Sequence, residues 1–433
     1  MKTKASTTPP AASRLTTIWT LVGLILLTVN LRAAITGVAP VLSDLKESLH
    51  LSGIEVSVLT TLPVLCLGVF ASMAPVLARR VGPEVAITVA LVLITSGIVL
   101  RVVPAQMALF GGTVLAGAGI AMGNVLMPAM IKSAFPRRVG SLTGLMMMLM
   151  ASSGAIAAGL AVPLDSTGGW RLALAVWAVP SLVGALAWGP LALRTRRDRR
   201  SVNAEPAADR SAGAEGSLLR SPLAWAVAGF MGLASLMFYV LMSWLPQIMQ
   251  DHGFAAGEAG AMVSVMMLIG IPLGFAAPVA AARMRRQGAL VIVVAATMVL
   301  GIGGLLVAPS AGWLWVAFLG LGTGSAFPLA FTLLNLRSPS PMVAARLSGM
   351  AQTAGYLLAG VGPLAVGLLH DLTGGWTISL GLLFVLIVPE VILGLLASRP
   401  RFVRPSGTVA EAEFARLVES GAMESVREPA RAR

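Results

Sequence analysis

The sequence predicts an all-α membrane protein whose twelve transmembrane helices form two six-helix repeats. Three observations lead to this fold class. First, the 433-residue chain is 57% hydrophobic and only 11% charged, with a mean hydropathy of +0.86. A soluble protein carries about 25% charged residues. Second, the apolar residues form long runs separated by short basic segments. Third, several short patterns recur about two hundred residues apart.

Twelve apolar runs are each long enough to cross a hydrocarbon core about 30 Å thick. The runs are continuous and lack strict alternation, which favours helices over the strands of a barrel. Six precede a charged middle segment and six follow it. The runs are Thr16–Val41, Ser52–Ala78, Glu84–Val103, Gln106–Ile131, Gly140–Pro163, Arg171–Leu193, Ser221–Met249, Gly257–Ala282, Ala289–Ala308, Trp313–Leu336, Ala345–Leu369 and Thr377–Ala397.

This layout divides the chain into five parts. The middle segment mixes Arg, Ala, Asp, Glu and Gly without periodicity, as a solvated linker does. The C-terminal tail is expected to be disordered or to lie on the membrane surface. The parts are an N-terminal tail (1–15), an N-terminal six-helix bundle (16–193), a linker (194–220), a C-terminal six-helix bundle (221–397) and a C-terminal tail (398–433).

Lysine and arginine are distributed very unevenly between the two sides. Of the 31 basic residues, 27 fall in segments on the side of the N-terminus and 3 on the other side, and Arg32 lies within a run. The positive-inside rule therefore predicts that both termini and the linker are cytoplasmic. We expect the membrane to be the plasma (inner) membrane of a bacterium. The net charge of +13 then reflects membrane orientation, and no nucleic-acid partner is expected.

The two halves repeat each other at a nearly constant offset. Thr167–Trp170 and Thr373–Trp376 both read Thr-Gly-Gly-Trp, 206 residues apart. Ala-Pro-Val recurs at an offset of 203, Pro40 matches Pro246, and the stripe Thr28, Arg32, Thr36 matches Ser235, Tyr239, Ser243 at 207. Six spans per half make both halves enter the membrane from the same side, so the repeat is parallel. A parallel repeat places a substrate site near the midplane between the halves.

Arg32 is the most informative single residue. It interrupts a run that is uncharged from Thr16 to Val41. At a helical rise of about 1.5 Å per residue, it lies roughly 27 Å from Arg14 and roughly 18 Å from Asp44. A guanidinium at that depth costs several kcal/mol unless it faces a polar cavity or a partner. We therefore predict that Arg32 lines a substrate pathway; the alternative is a structural arginine paired with a carbonyl or carboxylate.

The sequence also excludes several protein classes. The single cysteine lies in an apolar run, and the three histidines are scattered among connecting segments. This pattern predicts neither a disulfide nor a metal site. No metalloprotease, hydrolase or nucleotide-binding motif is present. We therefore expect no enzymatic activity, no cofactor and no ATP-driven pumping, and we expect a monomer.

At this point the chain resembles the major facilitator superfamily. The segment Pro75–Gly82 is similar to that superfamily's G-x-L-A-D-R-x-G signature, although Pro75 replaces the first glycine and Arg79 occupies the acidic position. Asn30–Ala33, followed by Gly37–Pro40, also resembles the first span of the cyanate and nitroimidazole permease family (the CynX/NimT group). This resemblance implies a secondary transporter with alternating access for a small polar or anionic compound. A drug or metabolite exporter and a non-transporting membrane sensor are the alternatives.

By the same resemblance, spans 1 and 7 line the pathway. The planar donor fork of Arg32 suits a carboxylate, cyanate or nitro group. Asn30 faces another side of its helix and is equally consistent with helix packing. Asn124 and the pair Gln352 and Tyr356 are further candidates, but interhelical hydrogen bonds explain them better. The candidate substrate residues are Arg32, Thr28, Thr36, Asn30, Asn124, Tyr239, Ser243, Gln352 and Tyr356.

Two carboxyl groups are candidates for coupling transport to protons. Glu390 is the only carboxyl well inside an apolar run; it is expected to be protonated or to reach Arg399. Glu55 lies at the outer end of span 2. Spans 1, 4, 7 and 10 carry no carboxyl at mid-membrane, so the sequence does not establish proton coupling.

Overall fold

The computed structural model describes residues 14–202 and 217–403. Within these ranges the protein is helical and has no β-strand. The N-terminal tail, most of the predicted linker and the C-terminal tail from residue 404 lie outside the described residues. The helices are α1 (Arg14–Thr36), α2 (Leu42–Ser48), α3 (Gly53–Ala71), α4 (Met73–Val81), α5 (Pro83–Arg101), α6 (Gln106–Ala134), α7 (Val139–Ala175), α8 (Ala178–Val202), α9 (Pro222–Asp251), α10 (Ala256–Arg283), α11 (Gly288–Val307), α12 (Gly312–Arg337), α13 (Pro341–Thr373) and α14 (Trp376–Ala397).

By length and composition, ten helical stretches of the described chain are able to cross a membrane, or eleven when α3 and α4 count as one span bent by 50°. One of the ten, Pro136–Leu193, is 58 residues long. At about 1.5 Å per residue this length is enough for two crossings. It contains the predicted spans 5 and 6, so the structure is consistent with all twelve predicted spans.

The chain turns back inside that stretch at the first Thr-Gly-Gly-Trp motif. Gly169 has φ 72°, ψ 172°, which is outside the helical region. A side chain is strained at such a φ, whereas glycine is not. Beyond the turn, the indole nitrogen of Trp188 on α8 donates to the Gly23 carbonyl on α1 at 2.9 Å. Trp188 thus packs against the middle of α1, so α8 runs back alongside the first helix.

The second Thr-Gly-Gly-Trp motif also makes a turn, but with a different backbone. Here the positive φ of 65° falls on Gly374, the first glycine of the motif, and the preceding helix α13 ends there. The tryptophans that follow, Trp170 and Trp376, are both buried in apolar clusters. The repeated motif therefore forms a turn followed by a buried tryptophan in both halves. The glycine with positive φ is the second of the motif in the first half and the first of the motif in the second half.

The two halves meet at one end of the molecule. We call it the arginine-rich end, because α4, the turn before α7, and α10 place Arg79, Arg80, Arg137, Arg138 and Arg283 there. Across it, α7 packs against α10, and α3 and α6 pack against α13. The Lys132 ammonium on α6 donates to the Asn335 carbonyl on α12 at 2.8 Å. These contacts close the space between the halves at this end.

Glycine allows these helices to approach closely. A Cβ added at Gly144 on α7 would lie 2.7 Å from the carbonyl oxygen of Phe275 on α10. Real side chains do not approach a backbone oxygen so closely, so only glycine fits. Small residues at helix contacts are the usual device for close packing in membranes. The closed end is therefore held by tight backbone contact.

Candidate functional site

Arg32 lies between the two halves of the molecule. It is half-buried on α1, and its Cζ is 5.5 Å from the ring centroid of Phe238 on α9. A cation at this distance from an aromatic face is attracted to it. Within residues 14–202 and 217–403 no carboxylate lies within 4.0 Å of its guanidinium. The structural alternative is an arginine paired with a carbonyl or carboxylate, and the described residues show no carboxylate partner.

The stem of Arg32 runs over a glycine on α7. A Cβ added at Gly154 would lie 2.7 Å from Arg32 Cγ and 3.4 Å from Thr36 Cγ2. The Thr36 hydroxyl donates to the Gly154 carbonyl at 2.9 Å and to the Arg32 carbonyl at 3.2 Å. Thr36 therefore ties α1 to α7 beside Arg32, and Gly154 leaves room for the arginine stem between the two helices.

Both tyrosines of the chain lie near this arginine. The sequence contains two, Tyr239 and Tyr356, and the positive charge of Arg32 acts on both hydroxyls. Tyr239 is on α9 beside Phe238, with the two rings edge to face at 5.5 Å between centroids. Tyr356 is on α13 and is 5% exposed. The arginine thus faces an aromatic and hydroxyl-bearing wall contributed by the C-terminal half.

A buried amide lies one helical turn from Tyr356. Gln352 is fully buried; its amide nitrogen donates to the Ser348 hydroxyl at 2.7 Å, while its side-chain carbonyl oxygen has no partner among the described residues. An orphaned buried acceptor is costly, so this oxygen needs a partner that the described residues do not supply. Asn124 on α6 is buried as well, at 5% exposure.

Three of the predicted polar residues, Thr28, Asn30 and Ser235, make hydrogen bonds within their own half of the molecule. The Thr28 hydroxyl donates to the Leu24 carbonyl at 2.7 Å and contacts the Met146 sulfur at 3.0 Å, inside the N-terminal half. The Asn30 amide donates to the carbonyls of Leu26 and Pro180, which joins α1 to α8. Asn30 therefore has the packing role that the sequence left open. Ser243 is exposed one turn beyond Tyr239, and Ser235 is buried, bonding the Met231 carbonyl.

The two candidate coupling carboxyls differ in their surroundings. Glu55 forms a capping box with Ser52 at the start of α3. The Ser52 backbone N–H and hydroxyl both donate to its carboxylate at 2.8 Å and hold its pKa below the ordinary value. Glu390 on α14 is 3% exposed, and neither of its carboxyl oxygens has a partner among the described residues. The expected alternative contact with Arg399 is therefore not formed.

Sequence reasoning missed two residues of this site. Phe238 and Gly154 are apolar residues in apolar runs, and nothing in their local pattern distinguishes them from packing residues. Only the matching offset of 207 residues between Arg32 and Tyr239 pointed to this part of α9. Together the arrangement offers a cation, an aromatic face and two tyrosine hydroxyls, closed from the arginine-rich end. Such a set suits a small anionic or strongly polar ligand.

Known proteins resemble this chain over most of its length. The "2-nitroimidazole transporter" of Escherichia coli (strain K12) is 36% identical over 383 residues, which cover 88% of this chain and 96% of the relative. The "Cyanate transport protein CynX" of the same organism is 27% identical over 382 residues, covering 88% and 97% respectively. These relatives confirm the predicted resemblance to the cyanate and nitroimidazole permeases.

The fold is also that of a solved transporter. The structure of the proton:xylose symporter XylE aligns with a TM-score of 0.69 at 12% identity, covering 92% of this chain and 98% of that one. At this identity the likeness shows the fold alone. Residues 24–363 match the sequence model of the Major Facilitator Superfamily. With its relatives named as transporters of small compounds, this integral membrane protein is a small-substrate permease and belongs to the Major Facilitator Superfamily.

Proposed function

We propose that the protein is a secondary transporter for a small anionic or strongly polar compound, resembling cyanate or a nitroimidazole. The observation that carries the proposal is Arg32, a half-buried guanidinium between the two halves with no carboxylate partner among the described residues. A cation at this depth is retained at a cost. An anionic or nitro-bearing substrate offsets that cost and accepts parallel hydrogen bonds from the planar fork.

We infer the following arrangement around the site. Residues 16–193 and 221–397 act as two six-helix bundles that rock about a midplane site. The arginine-rich end faces the cytoplasm, as do both termini, in a bacterial inner membrane. The unit is a monomer that binds neither cofactor nor nucleic acid and catalyses no covalent reaction. The conformation described here is then open toward the outside.

The proposal is tested at Arg32 with purified protein. Arg32→Ala removes the cation and the donor fork, and a hydrogen bond to a charged group contributes about 1.5–3 kcal/mol. We expect cyanate or 2-nitroimidazole affinity to fall by roughly ten- to a hundredfold per bond lost. Arg32→Lys keeps the charge but not the paired geometry, so it should also bind poorly. Affinity and melting temperature are measured on the same samples.

Arg101 provides a matched control. It is a buried arginine in the same half, at 2% exposure, and its guanidinium donates to the Ala34 carbonyl at 2.9 Å. Arg101→Ala should lower the melting temperature while the folded fraction binds normally. Normal ligand affinity in well-folded Arg32→Ala protein would refute the proposed site.

A further inference from the structure

A cavity lined by arginines and by apolar atoms lies at the arginine-rich end, outside the candidate substrate site. It has a volume of about 480 Å³ and lies where α11 begins and α14 ends. Three of its lining residues are arginines: Arg286, Arg399 and Arg401. All three are exposed, and none has a carboxylate within 4.0 Å in the part of the chain that the structure describes. The cavity therefore concentrates positive charge that the described residues do not neutralise.

The walls of this cavity are fixed in place by a buried arginine. The Arg337 guanidinium donates to the carbonyls of Ala397 and Ser398, at 2.8 and 2.9 Å, and to the side-chain oxygen of Gln287. The Arg337 carbonyl accepts from Val403 N–H at 2.8 Å. Arg337 is thus hydrogen-bonded to both ends of the segment that carries Arg399 and Arg401. Through Gln287 it is also bonded to the loop that carries Arg286. The three arginines stand on a preformed frame.

The surroundings of the cavity point to a lipid. Gly288, the first residue of α11, lines it, and no side chain caps that helix, so the positive end of the helix dipole is free for an anion. Next to the cavity, the outer faces of α11 and α14 expose apolar side chains. They are Ile292, Val293, Ile392 and Leu395. A bound molecule would place a negative group in the cavity and hydrocarbon along these helices.

We propose that this cavity binds the headgroup of an anionic phospholipid, with the phosphate on Arg286, Arg399 and Arg401 and the acyl chains along α11 and α14. Basic pockets between membrane helices are suited to such headgroups. The site is separate from the transport pathway, so the proposal goes beyond the proposed substrate function. It makes the lipid a ligand of the C-terminal half at the arginine-rich end.

The test measures lipid binding to full-length, delipidated protein in neutral detergent. Native mass spectrometry counts bound phosphatidylglycerol and phosphatidylcholine, and inorganic phosphate is the free-anion probe in a parallel thermal-stability assay. We expect phosphatidylglycerol to bind and phosphatidylcholine not to. The triple variant Arg286→Gln, Arg399→Gln, Arg401→Gln should bind phosphatidylglycerol about a hundredfold more weakly, since each arginine near a membrane surface contributes a factor of about five.

A second triple variant controls for charge. Arg137→Gln, Arg138→Gln, Arg285→Gln removes the same charge from the same end without touching the cavity, and it should bind phosphatidylglycerol like the wild type. If the cavity variant folds poorly, Arg399→Lys is measured instead, and it should retain most of the binding. Equal loss in both triple variants, equal binding of phosphatidylcholine, or equal stabilisation by inorganic phosphate each overturns the proposal.

Discussion

At the scale of single residues, the most informative unexplained group is the Glu390 carboxyl. It is buried at 3% exposure and has no hydrogen-bond partner among the described residues. An ionisable group of this kind inside a membrane helix is costly and is functional by default. Glu55 is different, because its carboxylate caps α3. Of the two coupling candidates, Glu390 is therefore the one that we retain.

We expect Glu390→Gln to keep the fold, because the amide has the same shape and no charge to bury. It should abolish accumulation driven by a proton gradient, while substrate exchange without a gradient continues. Uptake into proteoliposomes with and without an imposed gradient measures both. Glu55→Gln is the control and should leave the gradient dependence unchanged. Gradient-driven accumulation at the wild-type level in Glu390→Gln would exclude the coupling role.

Stability should also depend on Glu55. Its pKa in the folded protein is lower than in the unfolded chain because Ser52 donates to the carboxylate. The unfolded state therefore takes up a proton first as the pH falls. The contribution of this cap is fully present above the unfolded pKa of about 4.3. It is lost progressively as the pH falls through the folded value, so near neutral pH it is constant and adds no pH dependence to the stability.

At the residue scale, the sequence is informative where a residue contradicts its surroundings. Arg32 stands out because an arginine in an apolar run requires an explanation, and Tyr239 follows from the repeat, whereas Tyr356 is a candidate only from its place beside Gln352. Thr28 shows the limit of the spacing argument. Four residues advance a helix by about 400°, so each step of four rotates the side chain by about 40°. Because of that rotation, Thr28 points toward Met146 on α7, whereas Arg32 points toward α9.

At the scale of helices, the site depends on how closely α7 approaches α1. Gly154→Ala would place a Cβ 2.7 Å from Arg32 Cγ, so either the helices separate or the arginine stem turns away. We expect the protein to fold and substrate affinity to fall by about tenfold, which is about 1.4 kcal/mol. Binding to the purified variant measures the change.

The same helix supplies the control for that substitution. Gly159 has no atom within 4 Å of an added Cβ, so Gly159→Ala should leave affinity unchanged. It should also stabilise α7 slightly, because alanine is the better helix former. A similar loss of affinity in both variants would show that α7 itself, and not the space beside Arg32, is sensitive to the extra methyl.

Helix boundaries show what the sequence could not specify. The twelve apolar runs predicted the helices, but hydropathy does not report a bend or a turn. Span 2 is bent by 50° between α3 and α4. The first helix ends at Thr36, before the predicted Val41, because Gly37 and Pro40 disfavour its continuation. The close packing of Gly144 against the backbone of Phe275 joins residues more than a hundred positions apart. No local sequence pattern reveals such a contact.

At the scale of the whole molecule, the arrangement predicts which side of the membrane reaches the site. Ser243 is exposed one turn beyond Tyr239, on the side away from the closed arginine-rich end. In a Cys66→Ser background, which removes the only native cysteine, Ser243→Cys should react with a membrane-impermeant maleimide in intact cells. Saturating substrate should reduce the labelling, because it favours occluded and inward-facing states.

Lys132→Cys is the counterpart at the other end. Lys132 is half-buried and its ammonium contacts Asn335 in the closed interface, so a cysteine there should stay unlabelled from outside. The two variants together report orientation and conformation. Labelling of Lys132→Cys but not Ser243→Cys in intact cells would reverse the orientation that the basic residues predict.

The close contact of Gly144 with the α10 backbone also determines how the two halves separate. A gap of about 0.5–1 Å already forfeits a quarter to a half of the dispersion attraction, whereas a charge pair still attracts across several ångströms. When α7 and α10 are partly separated, much of their dispersion attraction is lost, but the gap is still too narrow for water to solvate the exposed backbone. Intermediate separations are unfavourable for both reasons, so the interface behaves as a latch with two positions. We expect the glycines at this interface to set how often the protein changes state, and Arg32 to set what it carries.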